Sequence, residues 1–104
     1  MATAYAERID ERVDVLETLA EDLRAFPEAA PRAEFTRQFK VAQLILELTD
    51  EDLAQLFQIS RPTVGRWRNG DAAPHPIGRK AVFHSLAKVA KDKLKAIGRY
   101  AQAA

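Results

Sequence analysis

The sequence contains no cysteine, and this absence excludes several classes of chemistry at once. A disulfide framework, a cysteine-ligated zinc site and a thiol nucleophile all require a residue that the chain lacks. Histidine is also scarce, because His75 and His84 are the only two. We therefore expect neither a metal site nor a cofactor, and a cysteine-free composition fits a reducing compartment.

Long apolar segments are missing as well. The longest apolar stretch, VAQLILEL at residues 41–48, is far shorter than the roughly 20 residues that a membrane-spanning helix needs. The first residues, MATAYAERIDER, reach charged side chains before any apolar signal-peptide core can form. We therefore expect a cytoplasmic protein that makes no membrane contact.

Acidic residues are scarce in one half of the chain only. Residues 1–52 contain 6 Lys/Arg and 13 Asp/Glu, a net charge of −7, whereas residues 53–104 contain 10 and 2, a net charge of +8. A basic half of this kind indicates contact with nucleic acid. Two oppositely charged faces that only keep the protein in solution would give the same composition. The length of 104 residues predicts one domain with an accessory helix.

Residues 3–26 predict an amphipathic helix. Apolar side chains at 4-3-4-3 spacing form a stripe that consists of Ile9, Val13, Leu16, Ala20 and Leu23. Three further residues widen this face, namely Tyr5, Leu19 and Phe26. Such a helix either pairs with its own copy or packs on the rest of the chain. Residues 1–28 are therefore predicted to form a segment for dimerisation or for contact with a partner.

Prolines and capping residues predict the next helix boundaries. Pro27 and Pro31 end the first helix, because proline cannot continue the hydrogen-bond ladder. Helical periodicity resumes at Phe35 and runs to about Leu48. The following TDED motif at residues 49–52 resembles a capping box, with Thr49 as the N-cap. It predicts a third helix over residues 50–57.

The stretch ISRPTVGRWRNG, at residues 59–70, predicts a short fourth helix. Ser60 is a suitable N-cap, and Pro62 falls in the first turn, where no backbone donor is needed. Gly70 suits the left-handed residue that follows a helix. A loop at residues 70–78 leads to a last amphipathic helix from Arg79 onward. The predicted fold is all-α, with five helices.

Two of these helices carry a family resemblance. Six residues must face a shared core if the helices cross steeply, namely Leu53, Ala54, Phe57, Ile59, Val64 and Trp67. The stretch LTDEDLAQLFQISRPTVGRWRNGDAAP resembles the Cro/repressor-type, xenobiotic-response-element-like helix-turn-helix family, and the likeness extends over residues 35 to about 90. The resemblance implies a lambda-repressor-like DNA-binding domain over residues 35–100, from a bacterial or phage transcription regulator.

In that family the second helix of the pair lies in the major groove of double-stranded DNA. The residues that the resemblance places on its exposed side are Ser60, Arg61, Pro62, Thr63, Gly65, Arg66 and Asn69, whereas Arg68 lies between the faces. Arg61 and Arg66 are the expected base-reading residues, because arginine can donate two parallel hydrogen bonds to guanine. Arg68 is expected on phosphate. The further phosphate contacts that we expect are Thr49, Gln55, Arg79 and Lys80.

The sequence departs from the family pattern at two places. Gln58 stands in the turn where glycine is common, so a left-handed residue is expected there without glycine's freedom. The acidic TDED edge replaces a glutamine that often meets phosphate, and its carboxylates would repel the DNA backbone. The last helix adds a basic stripe, which either contacts phosphate or is a solvated face and consists of His84, Lys88, Lys91, Lys95 and Arg99.

The leading hypothesis is a sequence-specific transcription regulator that binds double-stranded DNA at the nucleoid. A domain of this size makes a small interface with DNA, so a homodimer, a second regulator or RNA polymerase is the expected partner of the N-terminal helix. The alternative, which the acidic edge favours, is a protein-interaction adaptor or an antitoxin-like module with the same fold. Catalysis is not expected, because no metal-ligand cluster, Gly-rich phosphate loop or Ser/His/Asp set is present.

Overall fold

A computed structural model describes the backbone of residues 2–103 and the side chains of residues 8–98, so the side chains of Tyr5 and Arg99 lie outside the description. The described chain forms α1 (Ala2–Arg24), α2 (Arg32–Leu46), α3 (Asp50–Phe57), α4 (Arg61–Asn69) and α5 (Pro76–Ala103). No strand occurs between residues 2 and 103. The predicted all-α fold with five helices is confirmed. None of these helices has the length and apolar composition that crossing a bilayer requires.

The bounds of α3 and α4 agree with the sequence prediction, because side chains cap both helices. The Thr49 hydroxyl accepts a hydrogen bond from the Asp52 amide at 3.0 Å, and the Asp52 carboxylate accepts one from the Thr49 amide at 2.9 Å. This is the predicted capping box. Ser60 caps α4 by accepting from the Thr63 amide at 3.2 Å. Gly70 ends α4 in the left-handed conformation, with φ 82°.

The bounds of α2 and α5 differ from the prediction by two or three residues. α2 begins directly after Pro31, whose side chain makes no cap hydrogen bond, instead of at Phe35. It ends at Leu46 because Glu47 adopts a left-handed conformation, with φ 56°. α5 begins at Pro76 rather than Arg79, since a proline in the first helical turn loses no hydrogen bond. The prediction placed these ends by apolar periodicity, which does not fix the exact boundary of a helix.

The apolar stripe of α1 packs inside the chain. Leu16, Leu19, Ala20 and Leu23 are buried in the core, which also contains Phe83 and other residues of α5. Arg12 adds a polar link, because its guanidinium donates a 2.7 Å hydrogen bond to the Ile45 carbonyl at the C-terminal end of α2. Of the two uses predicted for this stripe, packing on the rest of the chain is the one observed. The buried part of the stripe is not available to a second copy.

An aromatic cluster joins α2, α3, α4 and α5. Phe35 and Phe39 of α2 contact the ring of Trp67 edge-on, with centroid distances of 6.1 and 5.9 Å. Phe57 of α3 lies 6.1 Å from the same ring. Phe35 also stacks on Phe83 of α5 at 5.1 Å. The only tryptophan of the chain therefore fixes α4 against three phenylalanine rings.

The left-handed residue Gln58 connects α3 to α4, with φ 54°, and its replacement by glycine tests the strain at this turn. We expect Gln58→Gly to raise the free energy of unfolding by about 0.5 to 1 kcal/mol, because glycine adopts this conformation without a Cβ clash. Gln55→Gly, in the right-handed interior of α3, is the matched control and should lower it by roughly 0.5 to 1 kcal/mol. Urea denaturation measures the free energy of unfolding of both variants. Changes of the same sign for Gln58→Gly and Gln55→Gly would contradict the prediction.

Candidate nucleic-acid interface

The orientation of α4 is set by the residues on its inner side. Val64 is fully buried, and Trp67 is partly buried against the core. The other four residues that were expected to face the shared core also pack there: Leu53 is buried, and Ala54, Phe57 and Ile59 are partly buried. Because side chains three and four residues apart share one helix face, the opposite face of α4 points to solvent. The exposed residues on α4 and its N-cap are Ser60, Arg61, Pro62, Arg66 and Asn69.

One flank of the outward face carries a chain of hydrogen bonds. The hydroxyl groups of Ser60 and Thr63 are 2.8 Å apart, and the Arg66 guanidinium donates to the Thr63 hydroxyl at 3.1 Å. Within residues 8–98 Arg66 forms no ion pair. Arg66 is thus positioned along α4 by a neutral partner, and its other donors are left for a ligand.

The other flank of α4 faces the N-terminal end of α3. Arg61 lies there, 3.3 Å from the Glu51 carboxylate, and the two side chains are 69% and 54% exposed. An ion pair with this exposure contributes about 0.2 to 1 kcal/mol. A phosphate or a guanine edge can replace Glu51 as the partner of Arg61, because only this small free energy is lost when the ion pair breaks. The pair therefore orients Arg61 and leaves it able to bind a ligand. Glu51 also accepts a long 3.4 Å hydrogen bond from Gln55.

Arg68 lies on the same flank but is engaged inside the protein. Its guanidinium pairs with Asp50 at the start of α3, and Gln43 of α2 donates to the same carboxylate oxygen at 2.8 Å. The Arg68 hydrogen bond, followed by that of Gln43, holds the pKa of Asp50 below its ordinary value of 3.8. We name the group of Gln43, Asp50 and Arg68 the clasp. It ties α2, α3 and α4 together, so Arg68 positions these helices, and the phosphate contact that we expected of it stays a prediction.

Arg79 is the second expected phosphate contact that the protein uses internally. Its guanidinium donates to the Pro74 carbonyl at 2.9 Å and to the Ala30 carbonyl at 3.4 Å, and it thereby holds the two long loops together. Lys80, Gln55 and Thr49 are exposed, and Thr49 additionally caps α3. For these three residues a phosphate contact stays a prediction.

The carboxylates at the start of α3 are also held in fixed positions. The Thr49 amide, and then the Thr49 hydroxyl, keep the pKa of Asp52 below its usual 3.8, and nearby Lys93 of α5 acts in the same direction. Asp50 and Glu51 each pair with an arginine of α4. The acidic edge therefore neutralises part of the basic helix, which the sequence pattern alone did not indicate.

The described part of the basic stripe of α5, which ends at Lys95, lies on the side of the helix opposite Lys93. Lys93 lies on the side of α5 near Asp52 of α3. Lys91 and Lys95 are two residues away in either direction, and about 100° per residue turns them to the far side of the helix. There Lys91 and Lys88 border a shallow cleft together with Arg24. This stripe consequently does not extend the exposed face of α4, and the interpretation as a solvated face suits it better.

Residue type and local spacing identified the exposed residues of α4 but not the clasp. Gln43 lies 7 residues from Asp50 and 25 from Arg68, in a different helix from each. The only sequence signal was the acidic departure at Asp50.

Comparison of the chain with family models, with curated proteins and with solved structures finds no match. The helix-turn-helix resemblance therefore rests on the residues themselves.

The clasp predicts an acid-sensitive contribution to stability. Because the pKa of Asp50 is lowered in the folded protein, its contribution is present above the ordinary value of 3.8 and is lost as the pH falls through the folded pKa. We expect Asp50→Asn to destabilise the protein less at about pH 2 than at about pH 6, because protonation of Asp50 weakens its pairing with Arg68. Urea denaturation at both pH values provides the measurement.

Glu34→Gln serves as the control for this experiment. It removes a carboxylate that pairs with Arg37 of the same helix at 2.9 Å. The side chains of Arg37 and Glu34 are 65% and 49% exposed, so water weakens this pair. We expect a smaller difference between the two pH values than for Asp50→Asn. An effect of Asp50→Asn that does not change with pH would argue against an ionised clasp.

Proposed function

We propose that this chain is a sequence-specific, double-stranded DNA-binding transcription regulator of the cytoplasm, in which α3 and α4 act as a helix-turn-helix and α4 enters the major groove. The observation that carries the proposal is the outward face of α4. Thr63, Arg66 and Arg61 lie on it, supported from below by the buried Val64 and the aromatic contacts of Trp67. The connection of three residues between Phe57 and Arg61 also fits such a pair of helices.

The chemistry of this face suits base recognition. Arg66, held by the Thr63 hydroxyl, can direct two parallel donors to guanine O6 and N7. The Thr63 methyl group can contact a thymine methyl, and Arg61 can exchange its weak pair with Glu51 for a base or phosphate. Two base-reading arginines on opposite flanks of one short helix would contact neighbouring base pairs.

Gly65 gives independent support, because no contact within residues 8–98 requires a glycine there. A Cβ added at Gly65 would meet only Arg68, at an ordinary contact distance of 3.8 Å. Glycine in a helix interior costs about 1 kcal/mol relative to alanine. This cost is not balanced by packing within the protein, and Gly65 lies next to Arg66 on a helix that points to solvent. Room for a closely approaching ligand accounts for the glycine.

An adaptor or antitoxin-like module is the second candidate, because of the acidic edge at the start of α3. Glu51 competes with DNA for Arg61, and Asp50 occupies Arg68. These carboxylates repel phosphate and would suit a basic protein partner. The two candidates differ in their affinity for a DNA duplex. A DNA-binding protein loses affinity as salt rises, and each phosphate contact adds about one unit to the slope of log binding constant against log salt concentration. An adaptor would show no duplex affinity to lose.

Replacement of Arg66 tests the proposed function. We expect Arg66→Ala to weaken binding to the preferred duplex by about 1 to 3 kcal/mol and to relax the preference at one base pair, because a bidentate contact to guanine is lost. The preferred sequence is first selected from a random duplex library, and affinities are then measured by fluorescence anisotropy over a range of salt concentrations.

Arg32→Ala is the control for charge, because Arg32 is also exposed but lies at the start of α2, outside α4. It should change affinity slightly and evenly across sequences. If the wild-type chain selects no sequence and shows no salt-dependent duplex affinity, DNA binding is wrong and the adaptor becomes the leading function. If Arg66→Ala matches Arg32→Ala, the placement of α4 in the groove is wrong.

Gly65→Ala should separate stability from binding. We expect the free energy of unfolding to rise by about 1 kcal/mol, because alanine favours the helix and its methyl group finds space. Duplex affinity should fall about tenfold, because the same methyl group would occupy space that the DNA needs. Thermal unfolding and fluorescence anisotropy measure the two quantities on the same sample.

Gly98→Ala provides the matched control. A Cβ at Gly98 of α5 would meet no atom within 4 Å, so this change should also stabilise the helix. It lies far along the chain from α4 and should leave duplex affinity unchanged. Unchanged affinity for Gly65→Ala as well would show that Gly65 makes no room for DNA.

A further inference from the structure

The most exposed large apolar side chain in residues 8–98 is Leu44 of α2, at 80% of its full accessibility. Its helix is otherwise well packed, since Phe35, Phe39, Ala42 and Leu46 are completely buried on the inner side. Leu44 thus projects from the outer surface of the last turn of α2. Single exposed leucines are common on protein surfaces, so its surroundings decide whether it has a role.

A groove runs beside Leu44 between α2 and the flank of α4. Its walls are formed by Lys40, Gln43 and Glu47 of α2 and its C-cap, by Leu48, and by Arg68. Gln43 and Arg68 belong to the clasp, so this wall is fixed by hydrogen bonds to Asp50. A projecting leucine beside a rigid groove is the arrangement by which one helix packs into another.

Opposite charges flank Leu44 at nearly equal spacing. Lys40 precedes it by four residues and Glu47 follows it by three, and all three residues border the same groove. Both charged residues are exposed, and within the described chain neither forms an ion pair. Rotation by 180° about an axis through Leu44 places Lys40 of one copy opposite Glu47 of the other. The surface is therefore complementary to itself.

Glu47 is an unfavourable choice for its position in the isolated chain. It adopts φ 56°, where glycine or asparagine is easily accommodated, and its carboxylate lies at the negative end of the α2 dipole. Within residues 8–98 no ion pair compensates for these two costs. Local conflicts of this kind are expected where a residue serves an external contact.

We propose that the face of α2 formed by Lys40, Leu44 and Glu47 pairs antiparallel with the same face of a second copy of this chain. Leu44 of each copy enters the groove of the other, and Lys40 of each copy pairs with Glu47 of the other at the rim. The contact is isologous and closes at two copies. The proposal does not depend on DNA binding, and it differs from pairing through α1, whose stripe is buried.

Sedimentation equilibrium of the full chain without DNA tests the proposal. We expect a reversible monomer–dimer equilibrium that Leu44→Glu weakens about tenfold or more, because a central apolar contact is replaced by two like charges. Ile77→Glu is the matched control, because Ile77 is also strongly exposed, at 68%, but lies at the start of α5. The dimer of the Ile77→Glu variant should have the same dissociation constant as that of the wild type.

A charge exchange tests the orientation of the two copies. Lys40→Glu and Glu47→Lys should each weaken the dimer, since each places like charges opposite one another, whereas the double variant should restore the wild-type constant. Circular dichroism shows whether each variant is folded. A wild-type chain that remains monomeric up to about 1 mM, equal effects of Leu44→Glu and Ile77→Glu, or a double variant weaker than both single variants would overturn the proposal.

Discussion

The contact between Trp67 and the phenylalanine rings of α2 determines what the rest of the molecule can do. Phe35 and Phe39 meet the indole edge-on, and Phe57 of α3 closes the third side, so α4 cannot roll about its own axis. A helix of 9 residues has little stability of its own, and its orientation must come from such packing. Arg66 points outward because Trp67 and Val64 point inward.

The parts of the fold that could be predicted from the sequence are those with a local cause. The caps Thr49, Ser60 and Gly70 act within four residues of their partners, and the helices that they bound agree with the prediction. Pro31 and Pro76 begin helices without a side-chain cap, and Glu47 ends one without glycine. Proline suits the first turn of a helix, but apolar periodicity does not show where that turn begins, and nothing in the sequence around Glu47 marks the left-handed residue that ends α2.

For the candidate site, too, the sequence predicted the features with a local cause and missed the contacts between distant residues. Periodicity identified the exposed face of α4, because only Val64 and Trp67 fit the core. It could not distinguish the roles of the arginines, since Arg61, Arg66 and Arg68 are identical in type and differ only in their neighbours. Arg68 meets Gln43 and Asp50, 25 and 18 residues away, and Arg79 meets Ala30, 49 residues away. Contacts at such separations arise from the packing of whole helices.

Gly65 and Glu47 point to the same conclusion about where the molecule meets its surroundings. Each weakens the isolated chain, Gly65 by glycine in a helix and Glu47 by a left-handed backbone beside a helix C-terminus. No contact within residues 8–98 offsets either cost, whereas the strained Gln58 at least connects two helices that share a core. Both residues lie next to the clasp, since a Cβ at Gly65 would meet Arg68 and Glu47 borders the groove that Gln43 and Arg68 line. In the dimer that we propose, the clasp would hold the α4 helices of the two copies in one relative orientation, which the proposed binding to two half-sites of a duplex requires.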